Sequence, residues 1–303
     1  MLTTFTNKTA FITGAASGFG LEVTRMAGKL GMNLVLVDVQ EKSLMETKDE
    51  MESLGVRVLA VSADVSKANQ MESIALKTKE KFGAPSLVFN NAGVSAGGLI
   101  WENSLKDWDW VIGVNVMGVL HGVRLFTPMM LEAAKKDPFY QGHIVNTASM
   151  AGLLNPPNMG IYNVSKHAVV SLTETLYQDL ALVTDQVSAS VLCPFFVSTG
   201  ISQSHLNRPS DLQDTGVLPT RSQLIGQTMN EKAVSSGKVS ALDVAEKVFE
   251  GVRQGIFYIY SHPHSLASVQ TRMEDVLNIR NPSNPFSHKP EIGVDLKKSL
   301  SSP

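Results

Sequence analysis

The chain lacks the features that mark several large classes of protein. Of its 303 residues one is cysteine, Cys193, so no disulfide can close within the chain and a disulfide-stapled scaffold is excluded. Neither sign of charge dominates: 26 Lys and Arg stand against 28 Asp and Glu, a formal net charge of -2. That balance gives no basis for a nucleic-acid or membrane-surface partner. No uninterrupted apolar run approaches the roughly 20 residues of a membrane-spanning helix. The opening Met1-Leu2-Thr3-Thr4-Phe5-Thr6-Asn7-Lys8 lacks the basic-then-apolar order of a signal peptide. His121, His143, His205, His262, His264 and His288 do not show metal-ligand spacing with Cys, Asp or Glu, so no metal is expected. The expectation left standing is a cytoplasmic globular protein, long enough to bury a large core.

What is present is a repeating pattern. Short β-branched runs alternate with amphipathic stretches, as in βαβ units around a parallel sheet. Thr9–Thr13, Asn33–Val37, Val56–Val61, Leu87–Asn90, His143–Thr147, Ser188–Cys193 and Ile256–Tyr260 read as strands. Gly18–Leu30, Glu41–Leu54, Lys67–Phe82, Ile161–Val183 and Ala241–Gln254 read as helices, with a long one from an N-capping Ser104 to about Ala134. The expected fold is one doubly wound α/β domain over residues 1–280, a Rossmann-type parallel sheet of about seven strands. Within it, residues 200–240 are polar, with weak helical pieces. Residues 281–303, with four prolines, read as an irregular tail.

Between the first strand and first helix lies Thr13-Gly14-Ala15-Ala16-Ser17-Gly18-Phe19-Gly20. Glycines there let the chain turn sharply and let a pyrophosphate approach main-chain N–H groups at a helix N-terminus. Asp38 ends the second strand about 20 residues beyond Gly18, where a carboxylate can accept from both ribose hydroxyls and repel a 2′-phosphate. Loop and acid together point to a dinucleotide, NAD before NADP.

Further motifs follow in order. Asp64-Val65 follows the third strand, Asn90-Asn91-Ala92-Gly93 runs on from the end of the fourth, and Asn115 lies within the long helix. Ser149 stands 13 residues before Tyr162, and Tyr162-Asn163-Val164-Ser165-Lys166 completes the series. Over about Asn7 to Thr199 the sequence resembles the short-chain dehydrogenase/reductase family, with its TGxxxGxG loop, NNAG segment and YxxxK pair. The resemblance implies an NAD(P)-dependent alcohol dehydrogenase or ketoreductase. Asn115, Ser149, Tyr162 and Lys166 would be its catalytic set. Gly14, Ser17, Gly18, Phe19, Gly20, Asp38, Val39, Asp64, Val65, Asn91, Ala92, Gly93, Pro194, Val197 and Thr199 would hold the cofactor, with Tyr162 and Lys166.

The chemistry accounts for the grouping. Tyr162 and Lys166, four apart, share one helix face. A free tyrosine hydroxyl, with a pKa near ~10, is too weakly acidic to serve as a base at neutral pH. An adjacent ammonium and a positive nicotinamide favour the phenolate. By resemblance, Ser149 would hold the substrate oxygen, Lys166 the nicotinamide ribose, and Asn115 a relay water. One departure is that Phe195 stands where the family has glycine after Pro194; its ring narrows the pocket or stacks on an aromatic substrate.

The residues that would face the substrate are apolar: Val94, Met150, Leu153, Met159 and Phe195, with Leu154-Asn155-Pro156-Pro157 as a rim. The 200–240 segment would be a lid, with Arg208 and Arg221 able to reach inward. The expected substrate is a bulky hydrophobic secondary alcohol or its ketone. Family resemblance also implies a homotetramer, or a dimer, built on the two long helices, with Trp108, Met117, Phe126, Met129 and Met130 at the contact. Two rival readings are a dinucleotide-binding module without catalysis and a lyase or epimerase that uses the nicotinamide transiently.

Overall fold

The structure, a computed structural model, describes residues 2–214, 216–287 and 289–301. His288 and the last two residues of the tail therefore lie outside the described residues. The continuous apolar runs become strands buried on both faces, as a parallel sheet between two helical layers requires. They are β1 (Thr9–Thr13), β2 (Asn33–Asp38), β3 (Val58–Ser62), β4 (Leu87–Asn90), β5 (Gly142–Thr147), β6 (Val187–Cys193) and β7 (Tyr258–Tyr260). Every pairing is parallel, in the order β3-β2-β1-β4-β5-β6-β7.

The alternation of strand side chains divides the core in two. Ala10, Ile12, Leu34, Leu36, Leu87 and Phe89 face α1 (Gly18–Lys29), α2 (Glu41–Ser53) and α8 (Ala241–Gln254) through Val23, Leu44 and Phe249. Phe11, Val35, Val37, Val88 and Ile144 face α3 (Ala68–Phe82), α5 (Gly118–Lys136) and α6 (Gly160–Val183) through Ile74, Phe126 and Leu176. The Phe11 and Phe126 rings meet at 4.2 Å between centroids.

Several expectations need correction. The long helix is interrupted: α4 (Leu105–Ile112) passes through a π turn at Gly113–Met117 before α5. Phe126 and Met130, assigned to a subunit contact, are fully buried in the protomer's own core. The tail is not wholly irregular, since beyond α9 (Leu266–Leu277) Pro290–Ser301 forms α10, which packs on α7 (Arg221–Ser235) and buries Leu296. The 200–240 segment holds 3-10 turns at Gly200–Asn207 and Ser210–Leu212 ahead of α7. The helical stretch Leu105–Lys136 is long and apolar enough by composition to cross a membrane, but 44% of its most apolar window is buried in this fold.

Winding reverses between β1 and β4. The chain steps outward through β2 and β3, returns to the other side of β1, and leaves a crevice at the C-terminal strand ends, where doubly wound sheets bind ligands.

Candidate active site

The glycine loop is shaped by contacts that no larger residue could meet. Gly14 and Gly18 have φ of +63° and +52°, a region disfavoured for residues with a Cβ. A Cβ on Gly20 would fall 1.9 Å from the Gly14 carbonyl oxygen. No side chain caps α1 and its first turn holds no acid, so its leading N–H groups face outward uncapped. Asp38, 9% exposed, accepts from Ala16 N and Gln40 N, each at 3.0 Å. A carboxylate offers about four acceptor positions, so positions remain for two ribose hydroxyls. Asp38, Val39, Asp64 and Val65 line one cleft with Gly14, Ser17, Ala92 and Gly93. The residues present fit a nicotinamide dinucleotide.

Asn91 turns away from that cleft. Its Nδ2 donates to the Thr13 carbonyl at 3.1 Å and its Oδ1 accepts from Thr147 Oγ1 at 3.3 Å. It braces the loop from behind. Asn115 is likewise consumed within the protein: Oδ1 accepts from Val94 N at 2.8 Å, and Nδ2 donates to Val94 O at 2.9 Å and to Ser165 Oγ at 3.0 Å. It pins the π turn to the loop after β4 and to α6.

The second cavity, about 690 Å³ including its open mouth, joins Ser149, Tyr162, Pro194, Val197, Thr199 and Phe19. Ser149 opens a 3-10 turn at Met150–Gly152 after β5, its Oγ accepting from Ala151 N at 3.1 Å. Tyr162 and Lys166 occupy the first two turns of α6, with Lys166 Nζ 5.7 Å from the Tyr162 ring centroid. Lys166 is 2% exposed and donates to the Thr147 carbonyl at 2.9 Å. Burial lowers its pKa to about 8 and raises that of the Tyr162 phenol to about 12, with Ser149 pulling the latter down by a smaller amount. Loss of solvation is the larger influence on the phenol, and the positive nicotinamide named with Lys166 in the sequence reading would act against it.

Met150, Met159 and Phe195 line the cavity as expected. Leu153 does not: the 3-10 turn carries it into a core cluster with Val169 and Val170, and Leu154 takes the cavity wall. Val94 lines the dinucleotide cleft and packs with Trp110 and Ile161. The Phe195 ring lies 4.6 Å from that of Phe196, while its N–H donates to Ser261 Oγ at 2.9 Å. Arg208 does not reach the cavity, being paired with Asp107 at 2.6 Å.

Sequence reasoning missed the contribution of α7. Ser222, Gly226, Asn230 and Val234 recur every four residues, which puts them on one inward face. Gly226 sits backbone to backbone against Gly97, where a Cβ would fall 3.0 Å from the Gly97 Cα. Asn230 and Val234 then reach the cavity. The spacing was legible, but only one of the four is a large apolar residue. Among the described residues no group of three or more His, Cys, Asp or Glu is placed to hold a metal ion.

This arrangement of glycine loop, strand-end acid and Ser-Tyr-Lys cavity has counterparts. A family model described as "short chain dehydrogenase" matches residues 8–209. The chain is 33% identical over 276 residues to a CLA biosynthesis dehydrogenase/reductase of Lactiplantibacillus plantarum, covering 90% of this chain and 94% of that one. It is 27% identical to a C alpha-dehydrogenase of a Sphingobium species, covering 90% and 87%. Among solved structures, a short chain dehydrogenase/reductase from Burkholderia phymatum in complex with NAD superposes with a TM-score of 0.90 at 51% identity, covering 93% and 99%. The chain belongs to the short-chain dehydrogenase family of oxidoreductases, and the NAD-bound neighbour supports a nicotinamide dinucleotide as cofactor.

Proposed function

We propose that the protein interconverts a bulky hydrophobic secondary alcohol and its ketone, using NAD(H), with Tyr162 as acid/base. The observation that carries this reading is the Ser149–Tyr162 pair exposed to an apolar-walled cavity directly above the buried Lys166. The glycine loop and Asp38 would hold the dinucleotide, whose chemistry when bound would be hydride transfer. Ser149 donates to the substrate oxygen and holds it beside the Tyr162 hydroxyl. In oxidation Tyr162 removes the alcohol proton; in reduction it returns one. Lys166, protonated below pH 8, stabilises the phenolate through proximity and holds the base of the site to the Thr147 carbonyl. Asn115 fixes the Val94 backbone and Ser165, the residue before Lys166, without touching substrate. The reading is tested by following NADH formation from a panel of hydrophobic secondary alcohols. Turnover with none of them, despite dinucleotide binding, would favour the non-catalytic binding module.

Lys166→Met gives two separable readouts. The ascending limb of the pH profile for alcohol oxidation moves to higher pH, because the ammonium that favours the phenolate is gone. Stability changes with the opposite pH emphasis. The folded-state pKa of about 8 lies below the ordinary value of 10.5, so the buried lysine costs stability below pH 8 and the cost fades as pH rises toward 10.5. The Tm of the variant relative to wild type is therefore higher at pH 7 than at pH 10. A fixed pH–rate profile removes Lys166 from control of Tyr162.

Asn230 refines the substrate class. Its amide has no protein hydrogen-bond partner among the described residues and borders the cavity beside apolar Leu154, Met159 and Val234. An amide left free by the protein in that setting favours a substrate with one hydrogen-bonding substituent remote from the carbinol. Asn230→Leu is expected to raise KM about fivefold for such substrates, leaving kcat within twofold, and to lower KM for wholly apolar analogues. Parallel changes in both series would contradict this assignment.

A further inference from the structure

The adenosine half of the dinucleotide cleft has a wall that the glycine loop and strand ends do not supply. Asn207 and Pro209, from the lid segment, line the cleft together with Asp38 and Val65. The same segment starts at Thr199 and Ile201 in the catalytic cavity, so one stretch of chain runs from one end of the cofactor site to the other.

Three ties hold this stretch in place, each to a different element. Ser204, 5% exposed, accepts from Ser95 N at 3.0 Å, just after β4. Gln40, two residues beyond Asp38 at the end of β2, donates through Nε2 to Asn207 Oδ1 at 2.9 Å. Arg208 pairs with Asp107 of α4 at 2.6 Å, donates to the Leu212 carbonyl at 2.8 Å, and lies 5.4 Å over Trp110, itself a wall of the cleft. The Arg208 and Asp107 side chains are 16% and 7% exposed, so solvent screens this pair less than an ordinary surface bridge. With Oδ1 taken by Gln40, the Asn207 Nδ2 has no partner among the described residues.

We infer that residues 204–209 are a clasp on the adenosine moiety, latched by Gln40–Asn207 and anchored by Arg208. The inference rests on the dinucleotide reading above. Asn207 Nδ2 is a donor available to the ring-nitrogen and ribose-oxygen acceptors of an adenine nucleoside. Because the latch crosses beside Asp38, the nucleotide leaves only after it opens, and the clasp acts on dissociation more than on association.

Stopped-flow NADH fluorescence, paired with calorimetric binding of ADP-ribose, tests this without turnover. Asn207→Ala and Gln40→Ala are each expected to raise the NADH dissociation rate about fivefold, the worth of one ordinary hydrogen bond, with little change in association. ADP-ribose, which lacks the nicotinamide, loses the same factor, since the clasp touches only the shared half. The double variant loses little more than either single one, because both break one latch. Unchanged dissociation in both variants overturns the clasp. Faster association with tighter binding also overturns it, since the segment would then be a plug that obstructs the cleft. A wild-type chain that binds neither NADH nor ADP-ribose overturns the dinucleotide reading itself, and the clasp with it.

Discussion

Tyr162→Phe is expected to lower kcat by 10²–10⁴-fold, the usual range for removing a positioned proton-transfer group, while NADH affinity stays within about twofold. The substitution deletes one oxygen and keeps a ring that is 8% exposed and packed at the mouth of the cavity. Lys166 retains its bond to the Thr147 carbonyl and its place 5.7 Å from the ring centroid. Ser149 keeps its N–H donor from Ala151. The fold therefore has no reason to change, and Tm should match wild type within a degree or two. Burial holds the phenol up at about 12, so the hydroxyl is protonated at neutral pH. In the reduction direction it is already in the donor form, so the loss on substitution should be nearly pH-independent there. In oxidation the loss should grow with pH, as wild type gains phenolate and the variant gains nothing. Measuring kcat and NADH Kd on one preparation separates catalysis from binding. A variant within threefold of wild-type kcat would remove Tyr162 from the proposed chemistry.

The parts of the site legible in the sequence are those where local geometry leaves one residue type. Gly14 and Gly18 adopt positive φ, and Gly20 must lack a Cβ to pass the Gly14 carbonyl. Asp38 was legible from its place at a strand end about 20 residues beyond Gly18, and the Tyr162–Lys166 pair from family resemblance, with the four-residue step putting both on one helix face. The sheet was legible because short β-branched and apolar runs, unbroken in β2 and interrupted by His143, Asn146, Ser188 and Ser190 in β5 and β6, alternate with amphipathic helices. What was not legible depends on how separate segments meet. Leu153 and Leu154 exchange roles because the 3-10 turn at Met150–Gly152 rotates the chain after Ser149, and nothing in a five-residue window signals that rotation. Phe126 and Met130 looked available for a partner because α5 is apolar over much of its surface, yet the sheet takes them. The inward face of α7 is built from a serine, a glycine, an asparagine and one valine, so hydrophobic periodicity misses it. The tail helix α10 was hidden by the prolines that precede it. Pro290, at its first turn, is compatible with helix initiation.

NAD(H) is expected to exceed NADP(H) by at least 100-fold in kcat/KM with the same alcohol. A 2′-phosphate about 4 Å from the Asp38 carboxylate would be repelled by roughly 4 kcal/mol per unit charge at an effective dielectric of 20, and a factor of ten costs about 1.4 kcal/mol. The structure then removes one cation that could offset this. Arg57 lies just before β3 begins, at the opposite end of the sheet from Asp38, with its guanidinium 5.1 Å over the Phe82 ring. Lys42 is exposed in the first turn of α2 and lines no part of the cleft. Ser17 and Val39, which do line it, are uncharged. Val39 is 49% exposed, so an arginine fits there without disturbing the core. The double substitution Asp38→Ser with Val39→Arg should therefore invert the preference. It should also weaken both cofactors, because Asp38 does more than select: its Oδ2 accepts from Ala16 N and its Oδ1 from Gln40 N, tying the glycine loop to the end of β2. Steady-state kinetics with both cofactors on wild type and the double variant decide the matter. Equal use of NADP(H) by wild type would mean that Asp38 serves only as the loop brace and does not meet the ribose.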